Sequence, residues 1–299
     1  MTINTINKVK VSVIVPVLNG ERTLAKCLDS LLNQNFIDYE IIVVDNNSND
    51  RTKNIITDFK NKFAKIFYVF EPKRGRGSAR NAGVVAARGD IIAMIDADCI
   101  APSDWLTRIC APILEGKELA VAGFEDDAVK NYWSKMRQES NWQFAQSRTV
   151  DGYIGYLDTK NFAIRADIVK RFGFDSSLTA LEDWGLYINL KKEGIKIKFL
   201  ADLVVLHYHD ASLSALFRTQ FGRGKSAAYI IKSHRHDQKF QELFNEDEGV
   251  DSMRLWNFAV FIPWAIWQFI SNTKMAPYKV IDDLAWKCGI IAAFIDRHR

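Results

Sequence analysis

The sequence predicts an α/β fold in which a mostly parallel sheet is flanked by helices and followed by a helical C-terminal appendage. Up to Gly123, short β-branched or apolar runs alternate with helical patterns of about 10–15 residues, which is typical of parallel strands joined by right-handed crossovers. From about residue 211 onward, no segment shows a convincing strand pattern. The chain has 299 residues, enough for one large domain or for one domain with an appendage.

The elements of the first part follow from the spacing of apolar residues. Strands are predicted at residues 11–15, 40–44, 66–70, 91–95 and 119–122. Helices are predicted at residues 21–34, 52–62, 78–87 and 104–114. The first strand is expected to end at Pro16, and the apolar run 91–95 is typical of a strand that is buried on both faces.

After Gly123 the pattern becomes less regular and richer in aromatic residues. We expect a helix at 132–144, a loop at 152–156, a strand at 160–164, a helix from 182 to about 192 and two short strands that end at His207. The later segment 255–270 contains three tryptophans, but it is interrupted by Pro263 and is shorter than the roughly 20 apolar residues of a spanning helix. This segment is either a core helix pair or a stretch lying in a membrane interface, and both interpretations stay open.

Composition narrows the classes of partner and compartment. The formal net charge of +4 is compatible with anionic substrates or a membrane surface, and it is too small to indicate nucleic-acid binding. The four cysteines show neither metal-binding nor disulfide spacing, which favours a reducing compartment. The N-terminus shows no charged region followed by an apolar one, so no signal peptide is predicted and we expect a cytoplasmic protein.

Two carboxylates, Asp96 and Asp98, directly follow the predicted strand 91–95. Ligands of open α/β sheets bind outside the carboxyl ends of the strands. Paired acids at that edge suit a hard divalent cation such as Mg²⁺ or Mn²⁺ and the phosphates that it carries. The alternative is a pair of solvated turn acids.

Further candidates lie at the ends of other predicted elements. Asp45 ends a strand and could bind a base or a ribose, or it could only stabilise a turn. Arg76 and Arg80 flank Gly77 at a helix start, where guanidinium groups and a helix N-terminus favour phosphate. The spacing lacks the third glycine of a dinucleotide fingerprint, so an NAD site is rejected.

The second part of the chain adds an acid pair, a histidine and a basic stretch. Glu182 and Asp183 could complement a helix dipole or act as a general base. His207 could complete a mixed metal shell, although the sequence alone does not place it near Asp98. Arg223 belongs to a basic stretch that ends at Lys239 and could bind a diphosphate, dock on anionic lipid heads or form a solvated helix face.

Several motifs together resemble the family-2 glycosyltransferases of the GT-A fold. The matching segments, which cover roughly residues 9 to 225 in the family's order, are Val13–Asn19, Val43–Ser48, Ala79–Gly83, Asp96–Asp98, Glu182–Asp183 and Val205–His207. The resemblance implies an inverting transfer from a nucleotide-diphosphate sugar, with a UDP-sugar favoured, to a hydroxyl of a glycan or lipid-linked acceptor. Such a metal-dependent hexosyltransferase would act in the synthesis of surface polysaccharide or glycoconjugates.

The resemblance also implies roles for individual residues. Asp183 is similar to the family's catalytic base, with Glu182 as the fallback, while Asp98 and His207 are similar to its ligands for Mn²⁺ or Mg²⁺. The residues implied in substrate binding are Pro16, Asn19, Glu21, Asp45, Arg76, Arg80, Asn81, Asp96 and Arg223. Asp45 would bind the base or ribose, Asp96 would lie on the ribose side, and Arg76 and Arg80 would lie near the nucleotide and its diphosphate.

The predicted organisation is a catalytic domain at residues 1–210 and a helical region at 211–299. Within the domain, the nucleotide-sugar half is expected at about 9–125 and the acceptor half at about 126–210. The C-terminal region leaves open a peripheral contact with the inner face of the membrane. The oligomeric state, the donor sugar and the linkage are not indicated.

Two other functions are weighed against the glycosyltransferase. A sugar-1-phosphate nucleotidyltransferase needs a glycine-rich phosphate loop after the first strand, which residues 16–21 do not supply. A non-catalytic sugar-nucleotide-binding protein would retain Asp45 and Asp98 but transfer nothing. The Gln-x-x-Arg-Trp element of processive synthases is missing, with Thr219–Gly224 roughly in its place, which favours transfer of a single sugar over polymer extrusion.

Overall fold

A computed structural model describes residues 9–178, 180–208, 211–234, 236–238 and 261–295. The strands of this part of the chain are β1 (Val11–Val17), β2 (Tyr39–Asp45), β3 (Ile66–Phe70), β4 (Ile91–Met94), β5 (Cys99–Ile100), β6 (Ala120–Asp127), β7 (Thr149–Val150), β8 (Tyr153–Ile154), β9 (Phe162–Arg165) and β10 (Ile197–His207). The helices are α1 (Leu24–Leu32), α2 (Thr52–Lys62), α3 (Arg76–Ala86), α4 (Trp105–Leu114), α5 (Tyr132–Ser147), α6 (Ala166–Phe172), α7 (Glu182–Lys192), α8 (Leu213–Ser233), α9 (Phe261–Ser271) and α10 (Ala276–Ile295). A 3-10 turn at Thr159–Asn161 precedes β9.

All ten strands belong to one mixed sheet, in the order β3-β2-β1-β4-β9-β6-β10-β8-β7, with β5 paired to β10. The first four strands are parallel, and β1 lies between β2 and β4. The carboxyl ends of these strands therefore meet at one edge of the sheet, where ligands of such sheets bind. β9 is antiparallel to both of its neighbours, and β6 and β10 are parallel to each other.

The sheet is buried on both faces because its strands alternate large apolar side chains. In β1, Val13 and Val15 belong to one apolar cluster, whereas Ile14 belongs to the cluster on the other face. Helix α3 packs close to the second face, since a Cβ at Gly83 would lie 2.5 Å from Cγ2 of Ile14. Burial of this kind supplies the hydrophobic free energy that keeps the sheet edge in place.

The predicted α/β fold with its helical C-terminal region is confirmed. The first strand continues through Pro16, although we expected it to end there. Beyond Ile14 only β2 pairs with β1, so Pro16 lies where the strand has a neighbour on one side, a position at which proline is tolerated. The two short strands expected before His207 are one strand, β10, with a register shift between Leu200 and Val204.

The described residues divide into two units. The first lies within 1–128, 144–177 and 182–209, and the second within 129–143, 178–181 and 210–299. The predicted boundary near residue 210, and the two halves expected within the catalytic domain, stay predictions.

The second unit is a helical assembly with its own small core. Met136, Leu216, Met275 and Tyr278 form its buried cluster. Helices α8 and α10 approach closely at two glycines: a Cβ at Gly224 would lie 2.1 Å from the backbone oxygen of Trp286, and one at Gly289 would lie 2.1 Å from that of Phe221. Small residues at a helix crossing permit this approach, and any larger side chain would force the helices apart.

Helix α9 presents apolar side chains to solvent. Ile262, Ile266, Trp267 and Ile270 are 57–77% exposed, whereas the polar Gln268 is buried. This arrangement does not match the core helix pair that the sequence left open, and residues 255–260 of that segment lie outside the described residues. Within the described part of the chain, no helix has the length and apolar character needed to cross a membrane.

Candidate active site

A buried arginine links three elements at the carboxyl edge of the sheet. Arg80, on α3, is 3% exposed and donates from Nη2 to Oδ1 of Asp96 over 2.9 Å. Its Nη1 donates to Oε1 of Glu182, the first residue of α7, which is itself 2% exposed. Arg80 therefore ties α3 both to the segment after β4 and to the start of α7.

The carboxylates around Arg80 outweigh the effect of its burial. Burial alone would lower the pKa of the guanidinium, but the carboxylates of Asp96, Glu182 and Asp183 raise it above its ordinary value. For Asp96 the balance is different, because burial raises the pKa of its carboxyl more than Arg80 lowers it. Arg80 is therefore enclosed by acids in the structure, and its predicted contact with the nucleotide or diphosphate stays a prediction.

Asp98 and His207 meet although more than a hundred residues separate them. Antiparallel pairing of β5 with β10 places His207 opposite Cys99, and the backbone N–H of Tyr208 donates to the carbonyl of Asp98 over 2.7 Å. The imidazole Nε2 lies 3.2 Å from Oδ2 of Asp98. The spacing of residues could not predict this contact, because it depends on a two-residue strand that carries no periodic signal. Only the family resemblance paired the two residues, as ligands of one metal ion.

The electrostatics of this pair favour a charged imidazole facing a carboxylate. Burial lowers the pKa of His207, but its contacts with Asp98 and Glu125 outweigh burial and raise the pKa to about 9. Burial raises the pKa of Asp98, yet the hydrogen bond and charge of His207, with the charge of Lys160, bring it below its ordinary value.

Glu125 and Lys160 extend the pair and were missed by the sequence analysis. Oε2 of Glu125 lies 2.9 Å from Nδ1 of His207 and 3.2 Å from Nζ of Lys160, which also lies 2.6 Å from Oδ2 of Asp158. A signal for Glu125 was present, since it follows the apolar run 119–122 as Asp96 follows 91–95. The strand was expected to end at residue 122, whereas β6 continues to Asp127 and carries Glu125 to the sheet edge.

Asp45 lies at the carboxyl end of β2 and is 2% exposed. Its Oδ1 accepts from the backbone N–H of Ser48 over 3.0 Å, and its Oδ2 accepts from the hydroxyl of Tyr68 over 3.2 Å. The turn-stabilising role is therefore present in the structure, and the binding role stays a prediction. The sequence analysis also missed the buried Asn46, whose side-chain amide donates to the carbonyl of Lys73 and accepts from the N–H of Gly75.

The predicted substrate residues after β1 join the loops that follow β1 and β2. Asn19 adopts a left-handed φ of 56°, donates its N–H to Oγ of Ser48 over 2.9 Å and accepts from the N–H of Asn49 over 2.9 Å. Glu21 accepts from the N–H of Arg51 over 3.3 Å. Pro16 is half-buried in β1. Contact of these three residues with a substrate stays a prediction.

Helix α3 begins at the exposed Arg76, and two neighbours shape this start. Gly75 has φ 144°, which L side chains rarely adopt, and a Cβ at Gly77 would lie 2.6 Å from the backbone oxygen of Asp175. Asn81 donates to the carbonyl of Phe174 and accepts from its N–H, each over 2.8 Å. Asn81 therefore fixes the adjacent backbone, and its predicted contact with substrate is untested.

The two residues of the acid pair have different surroundings. Glu182 is buried against Arg80, whereas Asp183 is half-buried and its Oδ1 accepts from the N–H of Trp184 over 2.9 Å. The residue before the pair, Leu181, has a left-handed φ of 61°, an unusual conformation for leucine that is often found near functional sites. This geometry favours Asp183 over Glu182 as a group that could accept a proton.

Arg223 lies on α8 in the second unit. There it contributes positive charge beside Asp282, whose Oδ1 accepts from Nε2 of Gln220 over 2.5 Å. Burial raises the pKa of Asp282 to about 6, against the lowering effects of Gln220 and Arg223. The basic stretch continues to Arg235 and Lys239, which both lie outside the described residues.

The donor atoms around Asp98 fit a divalent cation. One ligand atom each from Asp98, Cys99 and His207 lies within 4.8 Å of the others, and no other such group of three is found in the described residues. A carboxylate oxygen and an imidazole nitrogen are ligands that Mn²⁺ accepts, and carboxylate also suits Mg²⁺. Burial raises the pKa of the Cys99 thiol well above its ordinary value, and a sulfur ligand is not one that Mg²⁺ or Mn²⁺ prefers.

The mixed sheet, with acids and a histidine at its carboxyl edge, is typical of the GT-A class of glycosyltransferases. The sequence model of the family described as Glycosyl transferase family 2 matches residues 12–173. The chain belongs to this family, and the prediction that it is a glycosyltransferase is confirmed.

Similar proteins are found in archaea and bacteria. The chain is 28% identical over 257 residues to the glycosyltransferase AglE of Haloferax volcanii, a match that covers 85% of this chain and 81% of that protein. It is 26% identical over 251 residues to the hyaluronan synthase of Pasteurella multocida, covering 82% of this chain but 25% of the synthase. The match to the synthase therefore involves only part of a longer protein.

Two solved structures share the fold. The mannosyltransferase PcManGT from Pyrobaculum calidifontis, in complex with GDP-Man and Mn²⁺, superposes with a TM-score of 0.71 at 17% identity, covering 97% of this chain and 88% of that one. TarS 1–349 of S. aureus, in complex with UDP-GlcNAc, gives a TM-score of 0.55 at 16% identity, covering 97% of this chain and 93% of that one. At this identity, the likeness shows the fold.

Proposed function

We propose that the protein transfers a single sugar, with inversion, from a nucleotide-diphosphate sugar to a hydroxyl of a glycan or lipid-linked acceptor. The observation that carries this proposal is the assembly of Asp98 and His207 with the Asp96–Arg80–Glu182 cluster in one unit, at the carboxyl edge of the sheet. A nucleotidyltransferase would need a phosphate loop after β1, where this chain has Asn19 in a left-handed turn.

The chemistry at this edge and the ligands bound in the two similar structures support a nucleotide-diphosphate sugar as the donor. The resemblance in sequence favours UDP, and TarS is known in complex with UDP-GlcNAc. PcManGT is known in complex with GDP-Man, so GDP-sugars belong in the same test. We retain UDP as the proposed nucleotide.

Each residue of the site has a distinct proposed role. Asp98 and His207 would bind a Mn²⁺ or Mg²⁺ ion, and such a cation offsets the negative charge that develops on the departing diphosphate. Asp183 would accept the proton of the acceptor hydroxyl, a contribution of about 10²–10⁴-fold in rate. Arg80 would keep Glu182 in a buried ion pair, which leaves Asp183 as the base of the acid pair. Attack from the side opposite the leaving group inverts the anomeric centre.

A donor screen tests this proposal. Thermal unfolding of the purified protein is measured with Mn²⁺ and each of UDP, GDP, dTDP and their sugars. One nucleotide class should raise the midpoint temperature of unfolding, and should do so only when Mn²⁺ is present. The reason is that a ligand that binds only the folded state stabilises it by mass action. Wild-type protein that responds to no nucleotide would contradict the proposed function.

We also propose that the C-terminal region contacts a membrane, which suits a lipid-linked acceptor and a cytoplasmic protein at the inner face of the membrane. The support is the exposed apolar face of α9, formed by Ile262, Ile266, Trp267 and Ile270. Exposed tryptophan is typical of proteins that lie at a membrane interface.

Flotation with vesicles that contain anionic lipid tests this contact. The variant Ile266→Ser/Trp267→Ser should float less than wild type. The matched control is Val85→Ser, since Val85 is 84% exposed on α3 in the first unit. Equal flotation of all three proteins would contradict the proposed membrane contact.

A further inference from the structure

We propose that Glu125 is a positioning residue that fixes the imidazole of His207 with Nε2 towards Asp98, and that it thereby tightens divalent-cation binding at this pair. The inference rests on the proposed metal site and adds a residue that none of the family-like motifs includes.

The two ring nitrogens of His207 face two different carboxylates. Nδ1 lies 2.9 Å from Oε2 of Glu125, and Nε2 lies 3.2 Å from Oδ2 of Asp98. The side chains of His207 and Glu125 are 11% and 10% exposed, so water has little access to this contact. A ring held at both nitrogens cannot flip without losing both contacts.

Glu125 is itself held by the sheet and by a lysine. In the parallel pairing of β6 with β10, Glu125 lies opposite Val205, two residues before His207. Lys160 reaches Oε2 of Glu125 over 3.2 Å and Oδ2 of Asp158 over 2.6 Å. The carboxylate therefore has a fixed position from which it can orient the imidazole.

The position of Lys160 is fixed in turn by its neighbour Asn161. The buried Asn161 amide donates to the carbonyls of Phe124 and Leu203, each over 2.8 Å, and its Oδ1 accepts from Nε1 of Trp105 over 2.8 Å. A Cβ at Gly123 would lie 2.2 Å from Nδ2 of Asn161, so only glycine leaves room for this amide. The chain thus builds a packed support behind the histidine.

Such a support has a known effect on metal sites. A histidine that ligates a metal through one nitrogen commonly donates its other N–H to a carboxylate, which fixes the tautomer and the ring orientation. Loss of that partner typically weakens metal binding by about 10–100-fold. With Nδ1 facing Glu125 and Nε2 facing Asp98, the imidazole can bind a cation beside Asp98 through Nε2 once that nitrogen has lost its proton.

The simpler alternative is that Glu125 only neutralises Lys160. The two roles differ in what they predict when His207 is absent. If Glu125 acts through the imidazole, its removal has no further effect on metal binding once His207 has been replaced. If it acts on the local fold through Lys160, its removal weakens binding equally in both backgrounds.

The experiment measures Mn²⁺ affinity of the full chain by calorimetry and by the electron paramagnetic resonance signal of free Mn²⁺. The proteins are wild type, Glu125→Ala, Glu125→Gln, His207→Ala and the double variant Glu125→Ala/His207→Ala. Glu118→Ala is the matched control. Glu118 lies just before β6 and, like Glu125, contacts another side chain, since it accepts from the hydroxyl of Tyr153 over 2.9 Å. Thermal unfolding confirms that each variant is folded.

We expect Glu125→Ala to raise the Mn²⁺ dissociation constant about 10–100-fold. Glu125→Gln should lose less, because its amide oxygen still accepts from Nδ1–H. In the His207→Ala background, Glu125→Ala should change the constant less than about twofold, and the Glu118 control should match wild type.

Two results would overturn the inference by itself: an unchanged Mn²⁺ constant for Glu125→Ala, or an equal loss in the presence and absence of His207. Wild-type protein that transfers sugar without binding Mn²⁺ or Mg²⁺ would contradict the proposed metal use as a whole. The failure of the inference and the failure of the proposed function are therefore distinguishable.

Discussion

Replacement of Arg80 by leucine tests the ion cluster that joins α3 to the two acidic segments. Arg80 is 3% exposed and contacts carboxylates of Asp96 and Glu182. Removing one partner of a buried ion pair leaves an uncompensated charge and typically costs about 3–5 kcal/mol of the free energy of unfolding. We expect Arg80→Leu to fall in this range, measured by urea unfolding at pH 7.5 and followed by circular dichroism.

The control is an exposed ion pair of similar geometry. Arg165 donates from Nε and Nη2 to Asp167, but the two side chains are 49% and 63% exposed. Exposed pairs contribute about 0–1 kcal/mol, so Arg165→Leu should change stability little. The reasoning is refuted if both leucine variants lose the same amount, or if Arg80→Leu loses less than about 1 kcal/mol.

The pH dependence of this variant has a definite sign. Burial already raises the pKa of Asp96, and Arg80 is the main group that lowers it. Without Arg80 the pKa of Asp96 rises further, and an acid with a raised pKa in the folded state destabilises the fold above its unfolded pKa. The loss caused by Arg80→Leu should therefore be smaller at pH 5 than at pH 8.

Two further predictions concern the base and the second unit. Asp183→Asn should keep nucleotide binding in calorimetry while transfer falls by about 10²–10⁴-fold, and normal turnover would refute Asp183 as the base. Burial raises the pKa of Asp282 from 3.8 to about 6, so wild-type stability should fall as the pH rises from about 4 to about 6, by up to about 3 kcal/mol. Asp282→Asn keeps an acceptor for Gln220 and should lack this fall; parallel curves for the two proteins would contradict the burial argument.

Helices and strands with a clear pattern of apolar residues could be predicted from the sequence. The helix at 52–62 and the strand at 66–70 match the predicted bounds, because the first has apolar residues at helical spacing and the second is a continuous apolar run. Helix α6 and the short strands β7 and β8 were missed, since segments of two to seven residues show too little periodicity. β10 was split in two because its polar middle coincides with the register shift at Leu200–Val204.

The candidate site was predictable where it depends on strand ends and less so where it depends on long-range pairing. Asp96 and Asp98 follow a buried strand, so their place at the sheet edge could be inferred. The burial of Arg80 could not, because it depends on Glu182, about a hundred residues further along the chain. Glu125 was not predicted as a site residue, because the acidic residues at the C-terminal end of β6 do not resemble the continuation of a strand.

The structure also separates the two acids of the pair, which only the family resemblance ranked at the level of sequence. Glu182 and Asp183 are adjacent and chemically alike, and only their surroundings separate them. Glu182 faces the buried guanidinium of Arg80, whereas Asp183 lies half-buried at the start of α7. A ranking of this kind needs the packing of α3 against α7.

The most direct test of the central proposal is anomalous diffraction at the manganese edge from crystals grown with Mn²⁺ and UDP. The proposal predicts one strong peak in contact with both the carboxylate of Asp98 and Nε2 of His207, with the diphosphate beside it and Asp183 lining the same cavity. A peak bound by other residues, or a nucleotide bound with Asp98 and Asp183 in separate places, would contradict it.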